Sequence, residues 1–187
     1  MRIVTLALAA AALAGITPAA AQNAALREMG ALRLTSMVHQ SEQARRYCGV
    51  TRDQEQAFQT RIATTLASGG VAVPVASQVR DGGGGNIVFT SGQPDPSRPH
   101  MIVTAAIMHG GAGEAGVCSL SVLARVIARL APGATSANGL ALPADVSVYV
   151  DDHAEMVTAA NTSASLTGAG MQVTTRLLEQ RRQGGGR

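Results

Sequence analysis

The segment Met101–Leu130, MIVTAAIMHGGAGEAGVCSLSVLARVIARL, decides how this chain is read. Its first eight residues are apolar and rich in β-branched side chains, and they predict a strand. His109 and a glycine-rich turn follow. Leu120, Leu123, Ile127 and Leu130 then recur at the three- and four-residue spacing of one helix face, with Arg125 and Arg129 off it. The segment therefore predicts a strand, a tight turn and an amphipathic helix.

Within the turn, Gly111, Gly113 and Gly116 spell GxGxxG. After a strand and before a helix, such glycines let backbone N–H groups approach a pyrophosphate. That reading also needs an acidic residue about 20 positions further on, at the end of a second strand. The next good strand ends at Asp151, 35 residues beyond Gly116. The spacing argues against a dinucleotide site, and no cofactor is expected. His109-Gly110-Gly111 also has the sequence of a hydrolase oxyanion turn, but no GxSxG nucleophile elbow accompanies it. The turn remains the place where a small enzyme or ligand-binding protein would act. There His109 and Glu114 would be the acid–base pair and Gly110, Gly111, Gly113 and Gly116 the backbone cradle.

Outward from this segment, the N-terminus reads as a targeting signal. Arg2 precedes an apolar run from Ile3 to Ile16, Pro18 breaks it, and Ala19-Ala20-Ala21 offers a small-residue cleavage site. Cleavage near Ala21 would release a periplasmic or secreted chain. No later segment reaches the about 18 consecutive apolar residues of a membrane span. The two cysteines, Cys48 and Cys118, then become a disulfide in an oxidising compartment. The absence of CxxC argues against a redox role.

Every basic residue is Arg, and with abundant Ala and Gly this suggests a bacterial, GC-rich genome. The net charge of +3 is spread along the chain, without the basic and aromatic interleaving of a nucleic-acid surface. With no Trp, two Phe and two Tyr, the core must be built from aliphatic side chains.

Residues 24–48 carry Leu34, Met37, Val38, Ser41, Ala44 and Cys48 on one helical face. Thr51 with Gln54 forms a capping box for a second helix. Together they predict a helical hairpin. Short strands are expected around Ile87 and over Val146–Val150. Asp152 with Glu155 has the spacing of another cap, so a C-terminal helix should begin near His153. Asp151, Asp152 and His153, with His100, His109 and Glu155 near by in type, are the possible metal ligands. No spaced metal signature is present, and His39 reads as a helix residue.

These observations predict one α+β domain over residues 22–183, with a disordered tail at 184–187. Its sheet would have three or four strands, covered by the N-terminal hairpin, a central helix and a C-terminal helix. The functional expectation is an exported, non-catalytic module that binds a protein partner or envelope component. The alternative is a small periplasmic enzyme or ligand-binding protein acting at residues 109–116.

Overall fold

Strict alternation, more than helical spacing, governs the middle of this chain. In Val117–Arg129 the buried residues are Cys118, Leu120, Val122, Ala124, Val126 and Ala128, every second position. Period two places them on one face of a strand. The expected central helix is therefore a 13-residue strand. The apparent helical set mixed Leu120 from the buried face with Leu123 and Ile127 from the opposite one.

The computed structural model describes residues 26, 29–74, 77–81, 87–92, 95, 98–109, 116–129 and 145–183. Strand β1 is Arg33–Gln40, helix α1 is Glu42–Cys48 and helix α2 is Arg52–Ser68. Strands β2 (Ser77–Asp81), β3 (Ile87–Ser91), β4 (His100–His109), β5 (Val117–Arg129) and β6 (Asp145–Thr158) follow, and helix α3 spans Thr162–Gln183. The proposed signal at 1–21 and tail at 184–187 lie outside the described residues.

The strands form one six-stranded mixed sheet in the order β2-β3-β1-β4-β5-β6. This corrects the smaller three- or four-stranded sheet. Only β1 and β4 pair in parallel, from Arg33↔His100 to Gln40↔Ile107. Their neighbours add antiparallel to either side.

Two more expectations fail for physical reasons. The N-terminal helical hairpin is half strand, because Leu34, Ser36, Val38 and Gln40 alternate into the core. Ser36 and Gln40 are polar, which hid the alternation. The Asp152–Glu155 cap does not exist, since β6 continues to Thr158 and α3 starts at Thr162. A β6 strand at the sheet edge tolerates such charges, and they protect an edge from unwanted pairing.

The capping box at Thr51 does form. Thr51 N–H donates to Gln54 Oε1 at 2.7 Å, and Gln54 N–H donates to Thr51 Oγ1 at 3.4 Å. Ser41 caps α1 by accepting from Ala44 N–H at 3.0 Å.

All three helices lie on the same face of the sheet. Helix α1 is tied there by the Cys48–Cys118 disulfide. Helix α2 reaches it through Glu55, which accepts from Gln40 Nε2 at 2.9 Å. Helix α3 reaches it through the carbonyl of Val173, which accepts from Tyr149 Oη at 2.9 Å. Between helices and sheet sits a mainly aliphatic core in which Phe58 is fully buried.

The disulfide closes a loop across 70 residues of sequence. Its loss by Cys48→Ser with Cys118→Ser should destabilise the fold by about 4 kcal/mol through unfolded-chain entropy, read by urea denaturation. Two glycines of α3 provide a finer contrast. A Cβ at Gly168 meets nothing within 4 Å, whereas one at Gly170 would lie 2.4 Å from Phe58 Cε2. Gly168→Ala should stabilise by about 0.5–1 kcal/mol, through lower unfolded-state entropy and better helix propensity. Gly170→Ala should instead destabilise by about 1–3 kcal/mol through overpacking, both measured as shifts in denaturation midpoint.

Candidate functional site

Four regions carry chemistry, and the fold separates them. The first is the end of the β4–β5 hairpin. His109 pairs with Cys118 in the strand register, and its ring packs against Tyr47 of α1, with centroids 4.9 Å apart. His109 Nε2 is buried without a hydrogen-bond partner. Gly116 has φ of +93°, a conformation that favours glycine. Gly110, Gly111, Gly113 and Glu114 lie outside the described residues, and so does any acid–base pairing of His109 with Glu114. Among the described residues, His109 is a side chain packed beside the disulfide.

The second region is the acidic stretch of β6. Alternation splits it. Asp151, His153 and Glu155 share the helix side, opposite Ala124, Val122 and Leu120, while Asp152 sits opposite Leu123 on the other face. Asp151 is engaged by Arg176 Nε at 3.0 Å and by the Tyr149 hydroxyl at 3.0 Å. Burial, then the charge of Asp151, pushes the Tyr149 phenol well above its ordinary value. It stays a neutral donor that locks β6 to α3. His153 Nε2 lies 3.4 Å from Glu155 Oε1. Among the described residues, no group of three or more His, Cys, Asp or Glu side chains converges as a metal site would require.

The third region is a polar cluster inside the core. Gln40 Nε2 donates to Glu55 Oε1 and to the Val50 carbonyl at 3.1 Å, while Val50 N–H donates to Gln40 Oε1 at 2.9 Å. Glu55 is 3 % exposed, and its Oε2 has no hydrogen-bond partner. Desolvation by burial raises its carboxyl above the ordinary value, against the lowering effect of Gln40 and of Arg45 and Arg52. Near by, a cavity of about 290 Å³ lies between α2 and the sheet, lined in part by Leu34, Gln59, Thr60 and Ala63. Its Thr60 and Thr64 hydroxyls donate back to their own helix, so they offer little to a ligand.

The fourth region is the sheet face without helices. Met108, Leu123, Val150 and Met156 lie on it, each between 41 % and 59 % exposed. The register sets Met108 and Met156 on either side of Ser119, and Val150 beside Arg125. At the far end of this face is a cavity of about 300 Å³ lined by Arg33, Asp95, Arg98, His100, Ile127, Arg129 and Asp145. Here His100 Nε2 lies 2.8 Å from Thr35 Oγ1. Burial, and then the charge of Arg33, lowers the pKa of His100 below its ordinary value. The residue considered as a metal ligand is thus a neutral imidazole beside a guanidinium.

The sequence reading missed Arg33, Arg98, Arg129 and Asp145. A strand beginning at Arg33 would have placed that side chain at a sheet end, but the pairing that gathers all four is a tertiary fact. No protein-family model, curated protein or solved structure matches this chain.

The raised Glu55 carboxyl sets a pH dependence. The folded state holds its proton more tightly than the unfolded chain. This contribution to stability is fully present below the ordinary value of 4.5 and is lost as pH rises through the raised folded value. Glu55→Gln should therefore raise the thermal midpoint at pH 8 and change it little at pH 4. An equal shift at both pH values would refute the buried-carboxyl account.

Proposed function

We propose that this chain is an exported, non-catalytic binding module that holds a protein partner or envelope component on the sheet face opposite its helices. The observation that carries the reading is the exposure of Met108, Leu123, Val150 and Met156, large apolar side chains spread over a face where, among the described residues, no helix packs. Exposed apolar groups gathered on one face favour protein contact over solvent. Arg33, Arg125 and Arg129 stand on the same face by strand alternation, against Asp145 and Asp152. The partner surface that complements this face is an apolar strip bordered by carboxylates.

Export supports the reading from a separate direction. A buried disulfide is stable in an oxidising compartment. No helix of the described residues is long and apolar enough to cross a membrane. The N-terminal pattern of residues 1–21 supplies the route.

A photo-crosslinking side chain placed at Leu123 or Met156, in cells that make the protein, tests this function. The expected outcome is one discrete adduct at both positions, joined through an apolar, acid-bordered segment, and absent when the probe sits at Arg61 on α2. Leu123→Asp should reduce binding of that isolated partner by at least roughly tenfold, since it places a charge in an apolar contact. The same adducts from Arg61, or none from the sheet face, would exclude this surface.

A further inference from the structure

We propose that the cavity at the end of the open sheet face is a binding site for a carboxylate group, with Arg33 as its anchor. The argument is one of charge and partners. Three arginines, Arg33, Arg98 and Arg129, line a single cavity of about 300 Å³. Two carboxylates line it as well. Asp95 is committed to Arg98, with Oδ2 at 3.1 Å from Nε. Asp145 stands opposite Arg129 in the β5–β6 register but forms no ion pair with it. Arg33 and Arg129 are therefore both without an ion pair among the described residues, against the single carboxylate of Asp145.

Arg33 Nε is buried without a hydrogen-bond partner. A buried donor left unmade is costly, and one in a cationic group more so. The backbone fixes where this group sits. Arg33 N–H donates to the Pro99 carbonyl at 2.9 Å, and Arg33 is paired with His100, which is paired in turn with Ile127. The Arg33 guanidinium therefore stands beside a neutral imidazole that offers no counter-charge.

The same inventory selects the ligand. A lining with one guanidinium in excess of its carboxylates fits one monoanionic, planar group, and Arg meets a carboxylate through two parallel N–H donors. A dianionic phosphate would face Asp95 and Asp145 across the same small space with only one cation in excess. Ile127 supplies an apolar wall for the carbon chain attached to the acid. The carboxylate can belong to a free short-chain acid or to the C-terminus of a peptide, and the chemistry of recognition is shared.

The site is independent of the partner face in its test. Backbone amide shifts of the full chain are followed by NMR during titration with butyrate, and with butyramide as the neutral isostere. Saturable shifts at Arg33, His100 and Ile127 are expected with butyrate alone, weakening as salt rises. Arg33→Lys keeps the charge but loses the fork, and should weaken binding roughly tenfold. Asp145→Asn removes a like charge from an exposed position and should tighten binding about threefold. A tetra-alanine peptide with a free C-terminus, compared with its amidated form, separates the sources. Tighter binding than butyrate by the free peptide alone assigns the site to chain termini, and equal binding assigns it to small acids. No saturable shift, an equal response to butyramide, or unchanged affinity in both variants overturns the proposal. These shifts report on residues at one end of the sheet, so their failure leaves the cross-links from Leu123 and Met156 to be judged separately.

Discussion

The parallel pairing of β1 with β4 is the contact on which the rest of the structure depends. It joins segments about 60 residues apart, from Arg33↔His100 to Gln40↔Ile107. Between them the chain must leave β1, form α1 and α2, lay β3 and β2 against the far side of β1, and return as β4. Loop-closure entropy opposes such a contact until much of the fold is present. The Cys48–Cys118 disulfide acts on this problem. It fastens the end of α1 to β5, the neighbour of β4, and so restricts the crossover in the unfolded chain. A core of Leu, Val, Ile, Ala and Met offers little aromatic bulk to hold the helices down by burial alone. The covalent tie and the Gln40–Glu55 cluster do part of that work, one by limiting the unfolded state and the other by fixing where α2 crosses β1.

Fold and sequence agree where one structural period dominates. Met101–Met108 reads as a strand because β-branched residues fill both faces of a position inside the sheet. Thr51 and Gln54 mark a helix start because the two reciprocal hydrogen bonds are local. The pairing of the cysteines follows from there being two. The reading fails where two periods coexist. Leu123 and Ile127 on the open face of β5 complete a helical pattern with Leu120, although Cys118, Leu120, Val122, Ala124, Val126 and Ala128 make the burial of a strand. In β1 the failure is reversed, since Ser36 and Gln40 are polar but buried.

The site was less legible than the fold. The glycine turn attracted attention because its chemistry is written in consecutive residues. The arginine cavity is assembled from residues 33, 98, 100 and 129, which no local pattern connects. Strand register alone brings Arg33, His100 and Ile127 into one row. In sequence His100 is a possible metal ligand, but its role changes with its neighbour. Beside Arg33 and half-buried, a protonated imidazole would be a second cation, and both effects disfavour it. Asp151 shows the same dependence on context. Its carboxylate reads as a possible metal ligand in sequence and serves in the structure as the acceptor for Arg176 and Tyr149.

The misread residues of β5 are informative in their own right. A strand with helices on one side and solvent on the other alternates apolar with polar. Strand β5 obeys this at Ser119, Ser121, Arg125 and Arg129 and departs from it at Val117, Leu123 and Ile127. Leu123 has Thr104 and Asp152 as its cross-strand neighbours, and Ile127 lies beside His100 at the wall of the cavity. Neither position is needed to bury the helices, because that task falls wholly to the even-numbered side chains. The helix side accounts for stability, through the disulfide, the aliphatic core and the Tyr149 tie to α3. The opposite side carries the exposed Met108, Leu123, Val150 and Met156 together with Arg33, Arg125 and Arg129. A face that contributes little to burial can vary without unfolding the chain, so the apolar side chains that β5 places there are not required by the packing of the helices.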